Sequence, residues 1–172
     1  IFGGAITSGN LEAIVAEARV VEQDGFASYW APQLFGHDTL TALAVVGREV
    51  PRIELGTAVV PTYPRHPMMM AQQCLTVNAA TSGRLCLGIG LSHKIVIENM
   101  MGMSFDKPVR HMREYLTILT QIAQTSKVSF SGEVYSAHAE VSAAGSQPFS
   151  VVVAALGEQM LRVTGALADG TL

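Results

Sequence analysis

Five stretches of the chain obey one grammar: a short apolar run, a polar turn, then a longer segment with helical periodicity. That repeat constrains the fold more than any other feature. The apolar runs of the second, third and fourth units start at residues 26, 53 and 84. Their spacing of roughly 30 residues fits one βα unit each. Parallel strands need a crossover between them, so successive βα units imply a parallel sheet, and right-handed crossovers place the helices outside it. Two architectures satisfy this, an open doubly wound sheet and a closed (β/α)8 barrel, and a complete barrel takes about 250 residues. With 172 residues, the expectation is an α/β chain forming one barrel domain over residues 1–172. It would hold the first five βα units and be truncated at the C-terminus, because an end at Gly170-Thr171-Leu172 leaves an apolar edge unpaired.

The first unit reads as a strand from Ile1 to Ala5, a turn at Thr7-Ser8-Gly9-Asn10, and a helix from Leu11 to about Asp24 ended by Gly25. A strand from Phe26 to Trp30 and a loop from Pro32 to Asp38 follow, then a helix from Thr39 to Glu49 stopped by Pro51. The third strand, Ile53 to Val60, runs into Pro61 to Pro67, a segment too rich in proline for strand or helix. The spacing then predicts a helix from about Met68 to Ala80 and a fourth strand from Leu85 to Gly90. Beyond it lie a broken helical stretch to Met101, a loop from Met103 to Pro108, a helix from about Val109 to Gln124 and an inserted hairpin between Val128 and His138. The fifth strand, Ser150 to Ala155, enters a helix from Gly157 to about Leu167.

Composition narrows the function classes. Hydrophobic residues make up 49% of the chain and charged residues 15%, enough apolar material to close a core and too much for a disordered chain. Eleven Lys and Arg against fourteen Asp and Glu give a net charge of -3 with no block of one sign. Nucleic acid is therefore not an expected partner, and small molecules are. Apolar runs such as Val151 to Leu156 fall far short of the roughly 20 residues that span a bilayer. No basic-then-apolar leader opens the sequence either, so a cytoplasmic protein off the membrane is expected. A homodimer is a separate expectation. Cys74 and Cys86 lack metal-type neighbours and read as buried free thiols.

In a parallel α/β fold, chemistry gathers at the carboxyl ends of the strands. The rim residues by this rule are Ala5 and Thr7; Gln33, Leu34 and Phe35; Ala58, Val59, Pro61 and Tyr63; Leu91, Ser92 and His93; and Leu156 and Gly157. They include no carboxylate pair, no Cys–His couple and no ligand cluster, which removes the parts for hydrolytic or metal-dependent chemistry. A rim so poor in functional groups points to a bound cofactor.

Gly88-Ile89-Gly90 has two open readings, bare main chain for a flat ring or close packing of a strand. Ala154-Ala155-Leu156-Gly157 opens a helix whose N–H groups would suit a phosphate, or it is a tight turn. His93 is either a proton carrier or an idle loop residue. His37, His66 and His111 read as structural, Met68-Met69-Met70 as adaptable core, and Trp30 as wall packing.

The run Leu55-Gly56-Thr57-Ala58-Val59-Val60-Pro61-Thr62-Tyr63-Pro64-Arg65-His66-Pro67, then Ala71-Gln72-Gln73 and Gly83-Arg84-Leu85-Cys86-Leu87-Gly88-Ile89-Gly90, resembles the luciferase-like monooxygenase superfamily. Val153 to Gly157 and Ala168-Asp169-Gly170 fit its later part, and the branch most similar is the actinobacterial one that uses coenzyme F420. The resemblance implies a (β/α)8 barrel with a flavin-type ring in its mouth, F420 or alternatively FMN. It also implies a non-prolyl cis peptide at Ala58-Val59 behind the ring, Gly90, Leu91, Ser92 and His93 flanking it, and the cofactor phosphate on backbone N–H groups around Ala155, Leu156 and Gly157. His93 would deliver the proton that accompanies a hydride. The sequence departs from the family's sugar-phosphate and alcohol dehydrogenases at Gln33-Leu34 and at His93, which weighs against those two oxidations. The implied activity is hydride transfer between F420 and an organic substrate. An FMN-dependent monooxygenase and a flavin-binding protein without turnover stand as alternatives.

Overall fold

The structure, a computed structural model, describes residue 6 and residues 9–172. The first expected strand, Ile1 to Ala5, and the rim position Thr7 lie outside the described residues. The main chain then runs α1 (Leu11–Gln23), β1 (Ser28–Ala31), α2 (Thr39–Glu49), β2 (Glu54–Thr57), β3 (Val60–Pro61), α3 (Pro67–Ala80) and β4 (Leu85–Gly90). A turn of π-helix at Val96–Met100 leads to α4 (Pro108–Thr125), β5 (Lys127–Ser131), β6 (Ser136–Glu140), β7 (Ser150–Val153), α5 (Glu158–Leu167) and β8 (Gly170–Thr171).

Sheet order decides between the two architectures. The strands lie in the order β1-β2-β4-β7-β8, all parallel, with β3 also paired to β4. Each helix packs on the next in the chain, α1 on α2, α2 on α3, α3 on α4 and α4 on α5. A doubly wound sheet reverses its strand order and sends helices to both faces. This sheet does neither, and it is a partial barrel of the (β/α)8 type. The expected third strand, Ile53 to Val60, is split into β2 and β3 by a cis peptide between Ala58 and Val59. Where β2 ends, the Thr57 hydroxyl stands in for the ladder, donating to the Gly88 carbonyl (2.7 Å) and accepting from the Gly88 N–H (2.8 Å).

Register sorts the two faces of the sheet. A Cβ on Gly47 of α2 would meet Leu55 and Thr81 side chains, so Leu55 and its register partner Leu85 face the helices. Leu87 and Ile89 share that face by alternation and are fully buried. The opposite face carries Trp30, Gly56, Cys86 and Gly88. The Trp30 indole covers Gly56 so closely that a Cβ there would lie 2.3 Å from Cε3, and its Nε1 donates to the Ser28 hydroxyl at 2.8 Å. Trp30 is thus packed on the barrel wall.

Side-chain caps hold the helix ends where the loops need them. Asn10 Oδ1 accepts from the Ala13 N–H, Asp38 Oδ1 from the Thr41 N–H, and His66 Nδ1 from the Met68 N–H. Arg84 donates to the carbonyls of Gly47, Val50 and Ile53, closing the C-terminal end of α2 onto the start of β2. The hairpin β5–β6 is an insertion, antiparallel and tethered to α4 by Glu114. Cys74 and Cys86 are free and buried, and burial pushes the Cys86 thiol up to about 11.

Candidate functional site

The carboxyl ends of β4 and β7 open into a cleft of about 820 Å³. Three segments build it. Val59 projects from the break between β2 and β3; Gly90, Leu91, Ser92 and His93 follow β4; and Ala154, Leu156, Gly157 and the first turn of α5 follow β7. Val109, at the start of α4, closes the fourth side. Ser92 takes a left-handed φ of 64°, turning the chain at the end of β4. The His93 carbonyl then accepts from Val96 and Ile97, which starts the π-helical turn.

The lining is mostly apolar. Leu156 is 95% exposed, an aliphatic side chain held in water at the cleft mouth. The first hydrogen bond of α5 runs from the Leu161 N–H to the Gly157 carbonyl (2.9 Å), and no side chain caps the helix. The N–H groups of its first turn therefore point out of the helix with the positive end of its dipole. A Cβ on Gly157 would meet no atom within 4 Å, so the space before this turn is open. Glu158 in that turn is paired with Arg162, Oε1 to Nη2 at 2.8 Å, and both are exposed.

The sequence profile of luciferase-like monooxygenases matches residues 2–172. The chain belongs to the luciferase-like monooxygenase family. Over 157 residues it is 28% identical to a 5,10-methylenetetrahydromethanopterin reductase of Archaeoglobus fulgidus, covering 90% of this chain and 46% of the relative. Over 163 residues it is 31% identical to an F420-dependent glucose-6-phosphate dehydrogenase of Kineococcus radiotolerans, covering 87% and 48%. Among solved structures, the coenzyme F420 dependent tetrahydromethanopterin reductase of Methanopyrus kandleri superposes with a TM-score of 0.82 at 19% identity, over 99% of this chain and 53% of that one. The chain spans about half the length of the curated relatives it matches.

Of the residues expected at the site of this family member, Val59, Gly90, Leu91, Ser92, His93, Leu156 and Gly157 come together at the cleft. Two do not line it. Ala155 is turned into the core and its neighbour Ala154 stands at the cleft instead, because alternation along β7 carries past its last ladder residue. Ala58 lies behind Val59 and donates its N–H to the Ala31 carbonyl at 2.9 Å. The two glycines of β4 also resolve toward packing. A Cβ on Gly88 would sit 1.9 Å from the Thr57 carbonyl oxygen, and one on Gly90 would sit 2.7 Å from Val59 Cγ2. Of the two readings open for Gly88-Ile89-Gly90, close packing of the strand is the one these distances favour. Val109, Gln159 and Met160 were not among the expected site residues. The last two were within reach of a sequence reading, since they occupy the first turn of a helix whose start was legible. Val109 comes in only through tertiary packing.

The cleft fits a planar heterocycle with an anionic tail. Its apolar sides, Val59, Leu91, Val109 and Met160, suit a flat ring, and the uncapped turn of α5 beside open space at Gly157 suits a phosphate. Among the described residues there is no group of His, Cys, Asp and Glu fit to hold a metal ion. No helix among them is long and apolar enough to cross a membrane.

A second cavity of about 380 Å³ adjoins the first, and Ser92 and His93 line both. Its other walls come from the loop after β1, the proline-rich loop after β3 and the π-helical turn. Asp38 clasps these loops together. Besides capping α2 it pairs with Arg65 and accepts from Gln73 Nε2 at 3.1 Å. Burial raises the Asp38 pKa, but hydrogen bonds from Thr41 and the Arg65 charge outweigh it and hold the carboxyl below its ordinary value.

Proposed function

We propose that this chain carries the cofactor-binding wall of an oxidoreductase that transfers a hydride between coenzyme F420 and an organic substrate. The observation that carries the reading is the convergence, in one cleft, of an apolar slot with the open first turn of α5. The F420 dependence named for one relative favours the deazaflavin over FMN. When bound, F420 supplies a two-electron hydride donor or acceptor.

The protein's own residues do the rest. Val59, Gly90, Leu91 and Ser92 flank the ring, with Ala58 backing Val59. Leu156 and Gly157 offer main-chain N–H groups to the phosphate, and Ala155 anchors them from the core. His93 stands at the junction of the two cavities and gives, at the substrate oxygen, the proton that balances the hydride delivered to the adjacent carbon.

Titration of the protein with F420 and with FMN, followed by cofactor fluorescence, tests the reading. F420 is expected to bind and FMN to bind more weakly. Tight binding of FMN alone overturns the deazaflavin assignment and favours an oxygen-consuming monooxygenase. Binding of F420 without any hydride transfer favours a carrier protein, and binding of neither removes the cofactor site.

A further inference from the structure

The second cavity carries a statement about substrate class. Its surface is built from Leu34, Phe35, Pro61, Pro64, Val96 and Met101. The two polar side chains deeper in its wall are already engaged. Gln33 Oε1 accepts from the Thr39 N–H (2.9 Å) and its Nε2 donates to the Leu34 carbonyl (3.1 Å). Arg65, the one cationic side chain of known fixed charge there, is paired with Asp38. What remains is the shared edge, where the Ser92 and His93 side chains make no hydrogen bond to the described residues.

We propose that this cavity is the substrate pocket and that it selects a neutral, largely apolar organic molecule with a single polar oxygen directed to His93. The proposal rests on the reading of the neighbouring cleft as the cofactor site. A neutral apolar ligand gains by leaving water for this lining. An anionic group entering it loses hydration and finds an arginine whose charge is already matched, so burial of that group is uncompensated. The selectivity therefore resides in Asp38 as a positioning residue: it keeps Arg65 neutralised and draws the loops of the pocket together.

Two methionines distinguish the cavities, since Met101 lines the second and Met160 lines the first. The protein labelled with 13C at its methionine methyl groups is titrated with acetophenone and with phenyl phosphate, which share a ring and differ in charge. Acetophenone is expected to shift the Met101 methyl saturably, leave Met160 in place, and bind at least tenfold more tightly than phenyl phosphate. Asp38→Asn keeps a good helix cap and removes the carboxylate from Arg65, so it is expected to tighten phenyl phosphate severalfold and narrow the ratio. Equal binding of the two compounds to the unmodified protein overturns the proposal, as does a folded protein whose Met101 neither compound moves. An F420 titration that leaves Met160 unmoved, with acetophenone still shifting Met101, overturns the cofactor reading and with it the ligand's role as substrate.

Discussion

The cleft at the ends of β4 and β7 and the anchor of the inserted hairpin make opposite use of polar groups. In the anchor, the Glu114 carboxylate accepts from three consecutive N–H groups, those of Glu133 (3.1 Å), Val134 (2.8 Å) and Tyr135 (2.9 Å). Next to it, His111 Nε2 meets the Thr62 hydroxyl at 2.8 Å, while its ring stacks on Tyr63 with centroids 3.9 Å apart. Burial raises the Glu114 pKa, but those three N–H groups outweigh it and hold the carboxyl below its ordinary value. Burial lowers His111 to about 4 against an opposing pull from Glu114. The cleft has nothing of this kind. Its titratable side chains, His93 and Glu158, are both exposed, and its other polar groups are the Ser92 hydroxyl, the Gln159 amide and main-chain N–H. Displaced pKa values often mark active sites, but those of Glu114 and His111 belong to the scaffold. A cleft built this way has few side chains of its own for acid–base or nucleophilic chemistry.

Breaking the anchor is expected to have the largest effect. Glu114→Ala strands three N–H groups of the hairpin turn and opens the space that Gly132 leaves for the carboxylate, where a Cβ would lie 2.3 Å from Glu114 Oε2. A loss of about 3–5 kcal/mol in urea unfolding is expected, with the cleft unaffected in those molecules that remain folded. A smaller loss, under about 1 kcal/mol, would show that the hairpin is not held through this carboxylate.

Acid tests the same region at a second group. Because the folded-state pKa of His111 is about 4, below its ordinary 6.5, the unfolded chain binds more protons between those values. Stability is thus complete above pH 6.5 and falls as the pH drops toward 4, by about 3 kcal/mol for this one group. His111→Gln retains one hydrogen bond to Thr62 or Tyr135 and removes the titration. The pH dependence of urea midpoints between 6.5 and 4 is expected to flatten in the variant, and an unchanged slope would move its origin elsewhere. Asp38, Glu22 and Glu114, carboxylates held below their ordinary values, start to lose stabilisation below about pH 5, so the His111 contribution is read between pH 6.5 and 5.

The sequence made the repeat, the helix starts at Leu11 and Thr39, and the whole of β4 legible, because caps and apolar runs are local signals. The choice of a barrel over a doubly wound sheet was not legible from periodicity, which is the same in both; it needed the order of strands and the succession of helix contacts. At the site, the rim positions after β4 and β7 followed from the strand-end rule. The inward turn of Ala155 and the packing of the Val59 side chain against Gly90 did not, since each depends on one residue of register or on a neighbour distant in sequence. The Glu114 clamp was invisible for the same reason, its partners lying some 20 residues away.

Two glycines carry the comparison into a single residue type. Gly88 is enclosed, and Gly88→Ala would drive a methyl into the Thr57 carbonyl at 1.9 Å. A loss of about 1–3 kcal/mol is expected in thermal or urea unfolding, because backbone on a central strand pair has little room to yield.

Gly157 should show the smallest effect of all on stability, for reasons that oppose each other. Its φ of -91° and ψ of 153° are accessible to alanine, and nothing lies within 4 Å of the new Cβ. Alanine is a poorer helix N-cap than glycine, while replacing glycine reduces the entropy of the unfolded chain. The two contributions are each well under 1 kcal/mol and of opposite sign, so Gly157→Ala should leave stability within about 0.5 kcal/mol. Its methyl would nevertheless stand in the open space before the first turn of α5, where a phosphate would approach the N–H groups. Loss of one such hydrogen bond corresponds to about a tenfold weaker affinity for F420. Unchanged stability with weakened binding would separate the cleft from the scaffold at one atom, whereas unchanged binding would mean that the first turn of α5 does not hold the phosphate.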